Sequence, residues 1–219
     1  MPSYSIDEIK TSMCIDQERK LAILLIGPTG SGKSPLGKSL EEKTDCAHFD
    51  FGAHLRKIAS GKNLFGLSDG DKTLITELIQ ANALLPEGRF DIAEKILEFF
   101  IKQHSDSHYI VLNGLPRHVD QAKRISQSIE IRHVVHLRCT AKIVRERVHR
   151  RKSGKSNDDS KRDDDCEEDI ARKIKIFNQQ TKPILDYYCR IGLKVIELDI
   201  DFDTTEDELL GELRKMIKL

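Results

Sequence analysis

The sequence predicts an α/β fold, a P-loop three-layer αβα sandwich on a five-stranded parallel sheet. Three observations predict it. Strand-like runs at 21–26, 46–50, 109–113, 133–138 and 194–199 alternate with helical patterns, and such alternation implies parallel strands joined by crossover helices. The first, third and fifth runs are rich in Val, Ile and Leu, as sheets covered on both faces are. The first run leads into Gly27-Pro28-Thr29-Gly30-Ser31-Gly32-Lys33-Ser34, which satisfies G-x-x-x-x-G-K-[ST] at every fixed position.

Each element follows from local pattern. Leu21-Ala22-Ile23-Leu24-Leu25-Ile26 has the continuous apolar character of a buried strand. After the glycine loop, Leu36 and Leu40 repeat at a spacing of four, so a helix N-terminus and its amides face whatever the loop holds. Gly27, Gly30 and Gly32 permit backbone angles other residues resist, and Thr29 and Ser31 complete the loop. Lys33 reaches toward β- and γ-phosphates, and the Ser34 hydroxyl suits Mg²⁺. Helices are expected over 33–42, 52–60, 69–81, 88–104, 118–129, 141–152, 167–191 and 205–217, with Thr140 and Thr204 as N-caps. His133 and His136 flank a strand-like stretch and are expected as sheet-edge residues rather than metal ligands. Residues 1–18 form a short extension, and 19–219 form one domain.

Composition narrows the class. Lys plus Arg and Asp plus Glu number 36 each, so bulk charge points to neither nucleic acid nor a membrane surface. No apolar run is long enough to span a bilayer, and the first residues lack the apolar region of a secretory signal. Five cysteines with no C-x-x-C pair argue against a disulfide framework or a structural zinc site and for a reducing cytoplasm. Residues 140–155 hold seven basic side chains against one acid. No aromatics interleave with that charge, as a nucleic-acid surface would need. A polar loop follows at 153–165, and its Asp163-Asp164-Asp165 favours the start of the next helix.

Further motifs carry a family resemblance. Asp50-Phe51-Gly52-Ala53-His54-Leu55-Arg56 resembles the S-T-G-D-x-L-R segment of adenylate kinases, and Leu112-Asn113-Gly114-Leu115-Pro116-Arg117-His118-Val119-Asp120-Gln121 resembles their L-D-G-F-P-R-x-x-x-Q. Arg162-Asp163-Asp164-Asp165 resembles R-x-D-D, Thr181-Lys182-Pro183-Ile184-Leu185-Asp186-Tyr187-Tyr188 resembles T-x-P-L-I-x-Y-Y, and Leu84-Leu85-Pro86 falls where the family has L-V-P. The order and rough spacing match from about residue 21 to residue 200. The resemblance implies a nucleoside monophosphate kinase, with a helical acceptor-binding arm near 51–81 and a short lid near 151–163. The substrates it implies are MgATP and a monophosphate, AMP favoured, for a monomer without structural zinc. Arg56 and Arg117 would hold the acceptor phosphate, with Phe51, Gly52 and Gly114 around the acceptor. Gln121 would read its base; the family's uridylate and cytidylate kinases tend to carry Asn there, so Gln favours adenine. Arg147 would stack on the donor adenine, and Arg151, Arg162 and Lys173 would neutralise the transferring phosphoryl group.

Four positions depart from the family pattern. Asn113 stands where the family has an Asp that orients waters on Mg²⁺, which leaves Asn113 an indirect metal partner without the charge. Lys173 stands where it has a second lid arginine, and lysine cannot make a bidentate fork to phosphate. Pro35, in place of Thr, removes one N–H donor. Phe51 replaces a threonine and reshapes the acceptor-base pocket. These departures leave two alternatives to AMP phosphorylation: a catalytically weakened nucleotide-binding module, or a P-loop kinase with another acceptor.

Overall fold

The computed structural model describes residues 19–62, 65–81, 83–153 and 166–219. Its sheet is all-parallel in the order β2-β3-β1-β4-β5. The strands are β1 Lys20–Ile26, β2 Cys46–Asp50, β3 Tyr109–Asn113, β4 Ile129–Arg138 and β5 Val195–Asp199. The expected fold class is the one observed. Period-two alternation splits each central strand between two cores. Ala22, Leu24 and Ile26 of β1 join Phe49, Ile110, Leu112 and Val134 on one face. Ile23 and Leu25 join Val111, Val135, Leu137 and Leu198 on the other.

Helices complete the layers. α1 (Lys33–Lys43) and α9 (Glu206–Met216) cover the second face through Leu36, Leu40, Leu209, Leu210 and Leu213. The first face is covered by α2 (Phe51–Ala59), α3 (Asp69–Gln80), α4 (Phe90–Gln103), α5 (Val119–Ile125) and α8 (Pro183–Arg190). α6 (Ala141–Lys152) and α7 (Glu167–Ile176) meet in a small separate cluster of Val144, Val148 and Ile170. Among the described residues, no helix is long and apolar enough to cross a membrane. The predicted extension 1–18, the Asp163–Asp165 run and most of the predicted lid lie outside the described residues.

Several expectations are corrected. β4 starts at Ile129 rather than 133, and the preceding helix ends at Ile125 rather than 129. Ile129 and Ile131 pair with Lys20 and Ala22 of β1; the register then shifts, so Ile23 pairs with His133. That bulge moves the inward-facing residues from Ile131 to Val134. Strict alternation is broken there, and the strand's first half is hidden from a periodicity reading. His133 and His136 are therefore not sheet-edge residues: they lie within β4, between β1 and β5. His136 is buried beside Phe177. The single helix expected over 167–191 is interrupted by a π-helical turn at Phe177–Thr181. The wide turn accommodates Pro183, which has no N–H to continue the ladder and opens α8 instead.

The caps divide. Thr140 caps α6 as expected, accepting from the Ile143 amide at 3.3 Å. The cap of α9 is Thr205, not Thr204. Thr205 accepts from the Glu208 amide at 3.3 Å while Glu208 accepts from the Thr205 amide at 2.8 Å, a reciprocal capping box. Thr204 accepts instead from the Asp201 amide, closing the turn before the helix.

Candidate active site

The chain passes from β3 to β4 across β1, so the end of β1 is where strand order reverses and a crevice opens at the carboxyl edge of the sheet. The glycine loop occupies that crevice. A Cβ on Gly27 would come within 2.6 Å of Ser31 Oγ and 2.9 Å of the Leu137 carbonyl. Gly30 and Gly32 have φ of +74° and +95°, where side chains are strained. The first intrahelical bond of α1 runs from the Leu36 amide to the Gly32 carbonyl at 3.0 Å. Pro35 thus sits in the first turn, where amides have no intrahelical acceptor, and the helix loses no bond to it. The Lys33 ammonium donates to the Gly27 and Pro28 carbonyls, each at 2.7 Å. The Ser31 hydroxyl is buried and pins the loop internally through the Pro28 carbonyl.

This loop opens into a cleft of about 340 Å³. Among the described residues, Lys33, Arg56, Arg117, Arg147, Arg150, Arg151, Arg172 and Lys173 line it, against two carboxylates, Asp50 and Glu206. A chain of zero formal charge therefore presents a strongly positive cleft, which raises the local concentration of an anionic ligand. Arg147 donates to the Gly30 carbonyl at 3.0 Å and to the Asp201 carbonyl at 2.7 Å, joining the glycine loop to the turn before α9. Arg151, in the last turn of α6, is buried at 6% exposure yet borders the cleft. Arg172 and Lys173, neighbours on α7, both reach it, and Arg172 is braced by Asp169 at 2.7 Å.

At the floor, three side chains from distant parts of the chain meet. The Ser34 hydroxyl donates to Asp50 Oδ2 at 2.6 Å, and Asn113 Nδ2 donates to Ser34 Oγ and to Asp50 Oδ2, both at 2.9 Å. Asp50 Oδ1 accepts from the Ala53 amide at 2.9 Å and so caps α2.

An adjoining pocket of about 250 Å³ is lined by Phe51, Leu55, Leu84, Leu85, Phe90 and Leu115, with Glu87, Arg117, His118, Gln121 and Gln180 among its polar members. Gln121 is buried and accepts from the Arg117 amide at 2.8 Å. Arg117 donates through Nε to the Gly114 carbonyl at 3.0 Å, and its own carbonyl accepts from Thr181. Gly114 has φ of +82°, which makes the turn leaving β3. A Cβ on Gly52 would come within 3.2 Å of an Arg56 guanidinium nitrogen.

The sequence-predicted cations Lys33, Arg56, Arg117, Arg147, Arg151 and Lys173 thus share one cleft, and Phe51, Arg117 and Gln121 share the pocket beside it. Arg162 lies outside the described residues. Sequence reasoning missed Asp50, Arg150 and the 204–206 turn as lining residues. Arg150 lies 4.7 Å over the Phe202 ring and pairs with Asp203 at 3.1 Å. The signal for Asp50 was present: it ends one strand run immediately before a helix, as Asn113 ends another. Among the described residues no group of three or more His, Cys, Asp or Glu is arranged to hold a metal. The ligand atoms at the P-loop are hard oxygens from a hydroxyl and a carboxylate, with the Asn113 amide nitrogen donating to both, a set that suits Mg²⁺ beside phosphates rather than a transition metal.

A glycine loop on a helix N-terminus, opening into a cleft lined by cations from α1, α2, α6 and α7, defines a P-loop phosphotransferase. The adenylate kinase family model matches residues 25–193, and the chain belongs to that family. An adenylate kinase of Rickettsia typhi (strain ATCC VR-144 / Wilmington) is 24% identical over 224 residues, covering 91% of this chain and 100% of that protein. One from Stenotrophomonas maltophilia (strain K279a) is 29% identical over 206 residues, covering 89% of this chain and 100% of its own length. The protein is an enzyme of the nucleoside monophosphate kinase type.

Proposed function

We propose that this chain transfers the γ-phosphoryl group of MgATP to AMP, giving two ADP, as a cytoplasmic monomer. One observation carries the reading: cations spaced from residue 33 to residue 173 line a single cleft that holds the P-loop and adjoins a pocket of mixed apolar and polar lining. Phosphoryl transfer needs positioning and positive charge more than covalent chemistry, and this arrangement provides both. In this reading Lys33 and the amides of Gly27, Thr29, Gly30, Ser31 and Gly32 hold the ATP phosphates, and Arg147 flanks the donor base. Arg56 and Arg117 hold the acceptor phosphate. Phe51, Gly52, Gly114 and Gln121 surround the acceptor nucleoside. Arg151 and Lys173 face the transferring group, Arg162 would join them by the family pattern, and Arg172 stands beside Lys173 as a second cation on α7. Mg²⁺ bound with ATP would neutralise charge on the β- and γ-phosphates, and Ser34 presents it a hydroxyl. In this reading the acceptor-binding arm is about 51–81 and the short lid about 151–163, beginning in the last turn of α6.

The test is diphosphate production from MgATP with AMP, CMP, UMP, GMP and dAMP in turn, with Lys33→Ala as control. AMP is expected to be the preferred acceptor, and Lys33→Ala to lower turnover by roughly 10²–10³-fold with each acceptor. No turnover with any monophosphate, in protein that binds ATP, overturns the kinase reading in favour of a nucleotide-binding module. Preference for another base overturns the assignment of the pocket.

A further inference from the structure

Resting on the MgATP reading, we propose that Asp50 supplies the carboxylate of a divalent-cation site at the P-loop, with Ser34 as its hydroxyl ligand and Asn113 as the amide that positions both. Asp50 and Asn113 are register partners at the ends of adjacent parallel strands. α1 brings Ser34 against them. Asn113 has a donor facing Asp50 and Ser34 at once. Asn113 is 4% exposed, so a carboxylate in its place would face Asp50 in a buried setting, where one of two like charges is suppressed. The pair therefore carries one negative charge, and the hydrogen bonds assign it to β2 rather than β3.

The proton directions leave a ligand position on Ser34. Its hydroxyl donates to Asp50 and accepts from Asn113, and a hydroxyl oxygen has two lone pairs, so one remains. Charge gives the second argument. Of the two carboxylates that line the cleft among the described residues, Glu206 begins α9, and Asp50 is the one that accepts from the P-loop hydroxyl. A carboxylate there repels a polyphosphate unless a cation lies between them, and a P-loop hydroxyl with a strand-end Asp is an arrangement that holds Mg²⁺ in P-loop enzymes generally. Asp50 is thus placed to make nucleotide binding depend on the metal.

The experiment measures affinity for a non-hydrolysable ATP analogue in EDTA and in Mn²⁺, by calorimetry, with bound Mn²⁺ followed by electron paramagnetic resonance. In the natural protein Mn²⁺ is expected to raise analogue affinity by about tenfold or more, and Asp50→Asn to erase that gain while affinity in EDTA holds or improves. An amide at 50 still caps α2, and a thermal melt verifies the fold. The double variant D50N/N113D returns the gain, because the amide at 50 then donates to a carboxylate at 113. Retention of the Mn²⁺-dependent gain in Asp50→Asn overturns the site. Analogue binding in EDTA with no gain from Mn²⁺ in the natural protein also overturns it, while the nucleotide reading stands. Failure to bind the analogue under either condition overturns both.

Discussion

At the proposed donor end, one contiguous octapeptide makes the phosphate cradle. Its shape comes from backbone constraints at Gly27, Gly30 and Gly32 and from the helix that begins at Lys33. At the proposed acceptor end, the pocket is assembled from side chains of α2, the 83–87 segment, α4, the turn between β3 and α5, α5 itself and the π-helical turn. The first is a peptide conformation that any chain with these residues adopts after a buried strand. The second exists only once all of these segments pack. The difference teaches where substitutions act: a change in the loop should touch every reaction the enzyme performs, whereas a change in the pocket should touch acceptor choice and folding together.

Arg117→Ala tests that division with the largest expected effect. Because its guanidinium reaches the cleft and is held by the Gly114 carbonyl, its loss should lower kcat/KM for the acceptor by roughly 10²–10³-fold. ATP affinity should change little; an equal loss in ATP affinity would break the comparison. Phe51→Ala comes next. Phe51 is 3% exposed in the larger core and also lines the pocket. Its truncation should cost about 3–5 kcal/mol of stability and raise the acceptor KM more than the ATP KM. Denaturant melts and the two KM values measure both halves; a variant altered in only one of them would separate pocket from core.

The third way to sharpen the comparison is pH. His54 packs among Phe49, Phe65 and Phe100, with ring centroids 5.0–5.5 Å away. Burial, reinforced by Lys57, lowers its pKa from 6.5 to about 4. Between those values the unfolded chain binds a proton that the folded chain does not, so stability falls as pH falls from about 6.5 toward 4. The contribution of this one group is up to about 3 kcal/mol. His54→Leu should flatten that acid limb in melts from pH 7 to pH 4. It also removes a buried Nδ1 that lacks a hydrogen-bond partner, so stability at pH 7 should hold or rise. The smallest expected effect is at the cap of α9. Thr205→Ala should cost about 1 kcal/mol, more than Thr204→Ala, and the reverse order would restore the cap to Thr204.

These regions also show what was legible beforehand. The glycine loop, the strand order of events along the chain and most helix positions were readable, because each is written within a few consecutive residues. The extent of β4 was not, since a bulge at the Ala22 to Ile23 register shift breaks the alternation that would have announced Ile129 and Ile131. The cap at Thr205 was readable from Glu208 three positions on; two adjacent threonines offered two choices, and reciprocity decides between them. Arg150 was hidden inside a basic run whose members look alike until α6 turns some toward the cleft.

By itself the sequence determined the P-loop, the parallel α/β class and the identities of the cations, because local backbone constraints and hydrophobic periodicity act over short spans. Only the tertiary structure decided that Ser34, Asp50 and Asn113 touch. Those contacts depend on the register of β2 against β3 and on the docking of α1 beside them. Register is set by which buried faces pack together, a property of the assembled sheet that no short segment contains.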